Sequence, residues 1–142
     1  MPAPPRLSLL LVDDDDVATE AVIRSLRKYG VDYPTVPAED GRVALSILHG
    51  THPQRRICRP FVILLDLNMP RMNGFEFLQL LRSDDHLRDT VVFVLTTSGS
   101  DTDRTRAYQD NIAGYMVKSA VGPQFSKLVK LLDDYHAVVQ LP

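Results

Sequence analysis

Two stretches, "FVILL" at Phe61–Leu65 and "VVFVL" at Val91–Leu95, most narrow what this chain can become. Each is an unbroken apolar run rich in β-branched and aromatic residues, which favour extended backbone. Each is too short for a buried helix, and neither alternates with polar residues as a half-exposed strand would. Runs of this kind fit strands buried on both faces, the situation in a parallel sheet with helices packed above and below.

The rest of the chain follows that plan. Strands are expected at Leu7–Val12, Asp32–Val36, Phe61–Leu65, Val91–Leu95 and Gly114–Val117. Helical spacing of apolar residues fills the gaps, at Val17–Lys28, Gly41–Leu48, Phe75–Leu81, Thr102–Gln109 and Gln124–Val139, with Pro123 suited to a helix start. The expected class is α/β, five βα units in one doubly wound parallel sheet. One connection is long, "HGTHPQRRICRP" from His49 to Pro60, and reads as a functional loop or a plain surface insertion.

Bulk properties exclude several functions. A net charge of −2 with no long Lys/Arg block does not provide a nucleic-acid footprint. A single cysteine, Cys58, can form neither an internal disulfide nor a cysteine-based zinc site. No apolar stretch approaches the length of a membrane span, and the run near the N-terminus is too short for a signal peptide. The expectation is a cytoplasmic protein with one domain over residues 1–142 and no output domain, since the last helical pattern runs almost to Pro142.

Ligands of such sheets sit outside the carboxyl ends of the strands, so strand-end residues form the candidate site. The first strand ends in Asp13-Asp14, the third in Asp66, the fourth in Thr96 and Thr97, and the fifth in Lys118. Two carboxylates about 5 Å apart repel by roughly 3 kcal/mol at an effective dielectric near 20. A hard divalent cation such as Mg²⁺, which takes oxygen ligands, removes that conflict. An acidic rim that merely solvates the sheet edge remains open on pattern alone. Asp15 and Asp16 fit a different task, at a helix start where unpaired N–H groups attract carboxylates. A carboxylate beside a metal, a hydroxyl and a lysine can attack a phosphoryl group and hold the acyl phosphate that results.

The motifs "LLVDD" at Leu10–Asp14, "LLDLNMPRMNGFEFLQLLR" at Leu64–Arg82, "VLTTS" at Val94–Ser98 and "GYMVKS" at Gly114–Ser119 occur in the order found in a known family. With them the chain resembles the CheY-like receiver domain of two-component response regulators. The resemblance implies a flavodoxin-like sheet of order 2-1-3-4-5 with five helices. It implies Asp66 as phospho-acceptor, fed by a sensor histidine kinase. Mg²⁺ would bind Asp14 directly, Asp13 through water, Asp66 itself, and the backbone carbonyl of Asn68. Thr96 and Lys118 would serve the phosphoryl oxygens, and Tyr115 would be the aromatic switch that moves with Thr96. Met69, Pro70 and Gly74 would shape the loop after Asp66, while Asn68 and Ser98 would tune hydrolysis of the acyl phosphate.

Two departures stand out. Lys118 precedes Ser119 where the family commonly has proline after a cis peptide bond, and the His49–Pro60 insertion is long. These features make the chain similar to the stand-alone regulators paired with bacterial phytochromes, which implies a bacteriophytochrome as the kinase. Signalling would then pass through the surface of the fourth helix, fifth strand and fifth helix, with Tyr108, Ile112 and Val121 as exposed contact candidates. A homodimer through that surface is compatible with the resemblance. The competing classes are an aspartyl-phosphate phosphatase-type enzyme, whose pattern wants an acid where Asn68 stands, and a receiver-shaped binding module that is never phosphorylated.

Overall fold

The structure, a computed structural model, describes residues 6–122 and 125–142. Along the chain run β1 (Ser8–Val12), α1 (Asp16–Lys28), β2 (Thr35–Ala38), α2 (Gly41–Leu48) and β3 (Phe61–Leu65). They are followed by α3 (Gly74–Ser83), β4 (Val91–Thr96), α4 (Asp101–Gln109), β5 (Gly114–Val117) and α5 (Ser126–Val138). All strand pairs are parallel, in the order β2-β1-β3-β4-β5. Pro123 and Gln124, expected to open the last helix, lie outside the described residues.

Each apolar run feeds two cores at once, because successive side chains of a strand point to opposite faces. Leu10, Val12, Ile63, Leu65, Val92 and Val94 face α2 and α3, meeting Ile47, Phe77, Leu78 and Leu81. Their neighbours Leu9, Leu11, Val62, Leu64, Phe93 and Leu95 face α1 and α5, meeting Val22, Leu26, Leu128 and Leu132. β3 is buried throughout, as its sequence requires. Each such side chain contributes about 1.5–3 kcal/mol of burial, so moving a strand would give up packing in both cores.

Helix starts are set locally. Asp15 caps α1, accepting from the N–H groups of Val17 and Ala18 at 3.0 and 3.3 Å. Asp16 opens the helix, so the last two of the four aspartates take the helix-start role expected of them. Asn73 and Glu76 form a reciprocal capping box at α3, which fixes the end of the loop that follows β3.

Some expectations shift. β2 begins at Thr35, not Asp32, and continues through Pro37 to Ala38. Proline survives there because β2 lies at the sheet edge, where its missing N–H costs no ladder bond. Ile112 and Val121 are buried at 7% and 5% exposure, one in each core, so neither is a surface contact; Tyr108 is exposed. The His49–Pro60 segment has no regular structure but is tied down. His49 Nε2 lies 2.7 Å from Asp84, Arg55 pairs with Glu39 at 2.5 Å, and Ile57 packs on the core. Lys118–Ser119 is trans; among the described residues the cis bond is Arg59–Pro60.

Gly74 is where the fold leaves no room. A Cβ there would lie 2.6 Å from the Asp66 carbonyl oxygen and 2.7 Å from Leu67 Cα, both backbone atoms. Gly74→Ala is expected to cost about 1–3 kcal/mol through overpacking, read as a lower urea midpoint. A variant with wild-type stability would show that the loop behind Asp66 gives way freely.

Candidate phosphoryl and metal site

Parallel pairing carries every strand's carboxyl end to one edge. Register then sets neighbours: Val12 pairs with Leu65, so Asp13 and Asp66 emerge side by side. Their backbones are held as extensions of the ladder, Asp66 N–H to Val12 O at 2.9 Å and Asp13 N–H to Ala38 O at 3.0 Å. Carboxylate oxygens of Asp13, Asp14 and Asp66 all lie within 4.8 Å of one another. Thr96 ends β4 fully buried, and Lys118 follows the last residue of β5.

Charge at this edge is only partly balanced. Lys118 Nζ donates to Asp13 Oδ2 at 2.8 Å, with both side chains about seven-eighths buried (15% and 12% exposed). Lys118 therefore rests on Asp13, not on Asp66. Burial first, and the Asp13 charge second, push the Asp66 carboxyl pKa above its ordinary value. Lys118, the Thr96 hydroxyl and the Asn68 N–H act the other way, favouring the charged form. Two further carboxylates remain beside a partly desolvated one, with a single ammonium between them. Three hard oxygen donors this close, on rigid strand tips, suit a divalent cation. Asn68 is exposed, and its N–H reaches Asp66 Oδ1 at 3.4 Å.

Beside Asp66, the hydroxyls of Thr96 and Tyr115 are linked through the backbone of Ser98. The Ser98 N–H donates to Thr96 Oγ1 at 3.4 Å, and the Tyr115 hydroxyl donates to the Ser98 carbonyl at 2.9 Å. Tyr115 is half-buried against the core under α4, and its own N–H donates to the Tyr108 hydroxyl at 3.2 Å. Thus Asp13, Asp14, Asp66, Thr96, Lys118, Ser98 and Tyr115, picked from separate motifs, form one neighbourhood. Sequence reading missed two residues. Arg82 sends its guanidinium to the carbonyls of Arg88, Thr90, Asp110 and Asn111, clamping the turn before β5. Asp103 accepts from the Ser98 hydroxyl at 2.7 Å. In the sequence, Arg82 is an ordinary basic residue near a helix end and Asp103 an ordinary acidic residue near a helix start. No local pattern marks either.

A doubly wound parallel sheet with clustered aspartates, a lysine and a buried threonine on its carboxyl edge defines a class: α/β proteins with an acidic site suited to a divalent cation. The family model for the response regulator receiver domain matches residues 9–132. This chain belongs to that family. Response regulator Rcp1 from Synechocystis is 30% identical over 132 residues, covering 93% of this chain and 89% of its own. A crystal structure of the Mn²⁺-bound form of Rcp1 superposes with a TM-score of 0.82 at 29% identity, covering 97% and 99% of the two chains. The phosphorylated cyanobacterial phytochrome response regulator RcpA gives 0.85 at 29% identity, again covering 97% and 99%. The bacteriophytochrome response regulator AtBRR gives 0.76 at 32% identity, covering 98% and 99%.

Because its pKa is raised, the folded state holds the Asp66 proton more tightly than the unfolded chain. The stability this contributes is complete below the ordinary carboxylate range and is lost as pH rises through the raised value. At neutral pH without metal, Asp66→Asn is therefore expected to melt above wild type, by about 2–4 °C for each kcal/mol of repulsion relieved. The gap should close toward pH 4 and on adding millimolar Mg²⁺ to wild type. A wild type that melts higher than the variant in metal-free buffer would contradict this charge balance.

Proposed function

We propose that this chain accepts a phosphoryl group on Asp66 from a phosphohistidine of a sensor histidine kinase, in a Mg²⁺-dependent reaction. The observation that carries the reading is the position of Asp66. It is buried, held by the ladder at a strand tip, and flanked by Asp13, Asp14, Thr96 and Lys118. A carboxylate oxygen of Asp66 forms the new O–P bond as the N–P bond breaks. The imidazole leaves with the proton on its other ring nitrogen.

Asp13, Asp14, Asp66 and the Asn68 carbonyl would hold Mg²⁺, which offsets charge on the phosphoryl oxygens. Lys118 is already a largely buried ammonium paired with Asp13. Exchange onto a phosphoryl oxygen keeps it paired while adding a contact made only when the group is present. The Thr96 hydroxyl donates to another oxygen. These new acceptors bias the Thr96–Ser98–Tyr115 chain toward one of two arrangements, and the signal leaves through the face of α4, β5 and α5. Tyr108, exposed on that face, is a contact for a partner or a second copy in a homodimer. Likeness to the phytochrome response regulators RcpA and AtBRR supports a phytochrome-type kinase as donor.

Intact mass after incubation with acetyl phosphate and Mg²⁺ tests the chemistry. One added phosphoryl group is expected, absent in Asp66→Asn and absent when the metal is chelated. No adduct on wild type, or steady turnover of a phospho-substrate, would overturn the reading. Lys118→Ala is expected to slow adduct formation about 10²-fold, in the range seen when one electrostatic stabiliser is removed. For the donor, an autophosphorylated phytochrome-type kinase should label Asp66 faster than an unrelated histidine kinase. Equal rates would remove the phytochrome assignment and leave the receiver assignment standing.

A further inference from the structure

α4 begins with an unusual arrangement. Its N-cap Ser100 accepts from the Asp103 N–H at 3.3 Å, half of a capping box. The returning half would run from the Asp103 carboxylate to the Ser100 N–H. Here the Ser98 hydroxyl is interposed, accepting from Ser100 N–H at 3.3 Å and donating to Asp103 Oδ2 at 2.7 Å. The second of these is a short, charge-assisted bond. The other polar groups of Ser98 face the site, its N–H on Thr96 Oγ1 and its carbonyl under the Tyr115 hydroxyl. Thr97, Gly99 and Ser100 are exposed, and a Cβ on Gly99 would touch nothing within 4 Å. Packing therefore does little to place this loop, and the hydrogen bonds of Ser98 do most of it.

We propose that Asp103 is a positioning residue for phosphoryl acceptance: through Ser98 it holds the Thr96 and Tyr115 hydroxyls in their present arrangement before a phosphoryl group arrives. The inference rests on the receiver reading above and adds to it a residue on α4. Its energetic content is a population. If the arrangement is needed for transfer, the rate scales with the fraction of molecules that hold it, and cutting the Asp103 bond lowers that fraction. Electrostatics alone predicts the opposite sign, because deleting a negative charge near the site eases the approach of an anionic donor.

The test compares initial rates of adduct formation from acetyl phosphate at saturating Mg²⁺ for wild type, Asp103→Ala, Asp103→Asn, Ser98→Ala and the Ser98→Ala/Asp103→Ala double variant. Asp103→Ala and Ser98→Ala are each expected to slow the reaction about tenfold, equivalent to 1.4 kcal/mol. The double variant should be no slower than either single one, as for two residues that act through one bond. Asp103→Asn keeps an acceptor oxygen and should stay within about threefold of wild type. An Asp103→Ala rate at or above wild type, or single effects that multiply, overturns the proposal. So does a lowered urea midpoint with an unchanged rate, the signature of a helix cap and nothing more. Should Asp103→Ala fail to fold, Ser98→Ala decides, and a wild-type rate there overturns it. Absence of an adduct on wild type removes the receiver reading and this inference together. An adduct on wild type with Asp103→Ala unchanged removes this inference alone.

Discussion

Everything at the functional edge depends on carboxylates being forced together by a sheet that does not yield. Asp13 and Asp66 are neighbours because Val12 and Leu65 are the last register partners of β1 and β3. Those partners are fully buried, so the backbone cannot relax to separate the charges without giving up core packing. The repulsion is met by Lys118 and hydrogen bonds, and only in part. Burial and the Asp13 charge still outweigh them at Asp66, as its raised pKa shows. An edge in that condition is one where a divalent cation would relieve the remaining repulsion.

Lys118 and Ser98 are tied into this edge in two different ways. Lys118 is held by Asp13 at 2.8 Å, close to Asp66 but not bonded to it, so it has a resting partner it can exchange. Ser98 lies in a loop with little packing of its own, and its N–H, carbonyl and hydroxyl reach Thr96, Tyr115 and Asp103 respectively. A rigid centre is thereby connected to a helix that has only Ala107 buried. Apolar anchoring of α4 is thus weak beside that of α3, which buries Gly74, Phe75, Phe77, Leu78 and Leu81.

Much of this was legible from residue order. The buried strands were marked by "FVILL" and "VVFVL" because a run without alternation has only one comfortable environment. The strand-end aspartates, Thr96 and Lys118 were legible because a parallel sheet must put all its carboxyl ends on one edge. Errors arose where context reverses local preference. The second strand, expected at Asp32–Val36, runs instead from Thr35 through Pro37 to Ala38, because at the sheet edge the missing N–H of proline is harmless. Ile112 and Val121 were expected as exposed contacts near the fifth strand, yet each is folded back into a core.

Layer architecture and the chemical inventory of the site are already written in residue order, since both follow from which residues end which apolar runs. Tertiary structure alone decided the pairings: Lys118 with Asp13, Ser98 with Asp103, and the Arg82 guanidinium with four carbonyls. A side chain's partner depends on distances set by packing and loop path, which for Asp13 and Lys118 bridge 105 positions of chain. Periodicity specifies which face a residue occupies, but a hydrogen bond is chosen within a few tenths of an ångström, after the helices have docked.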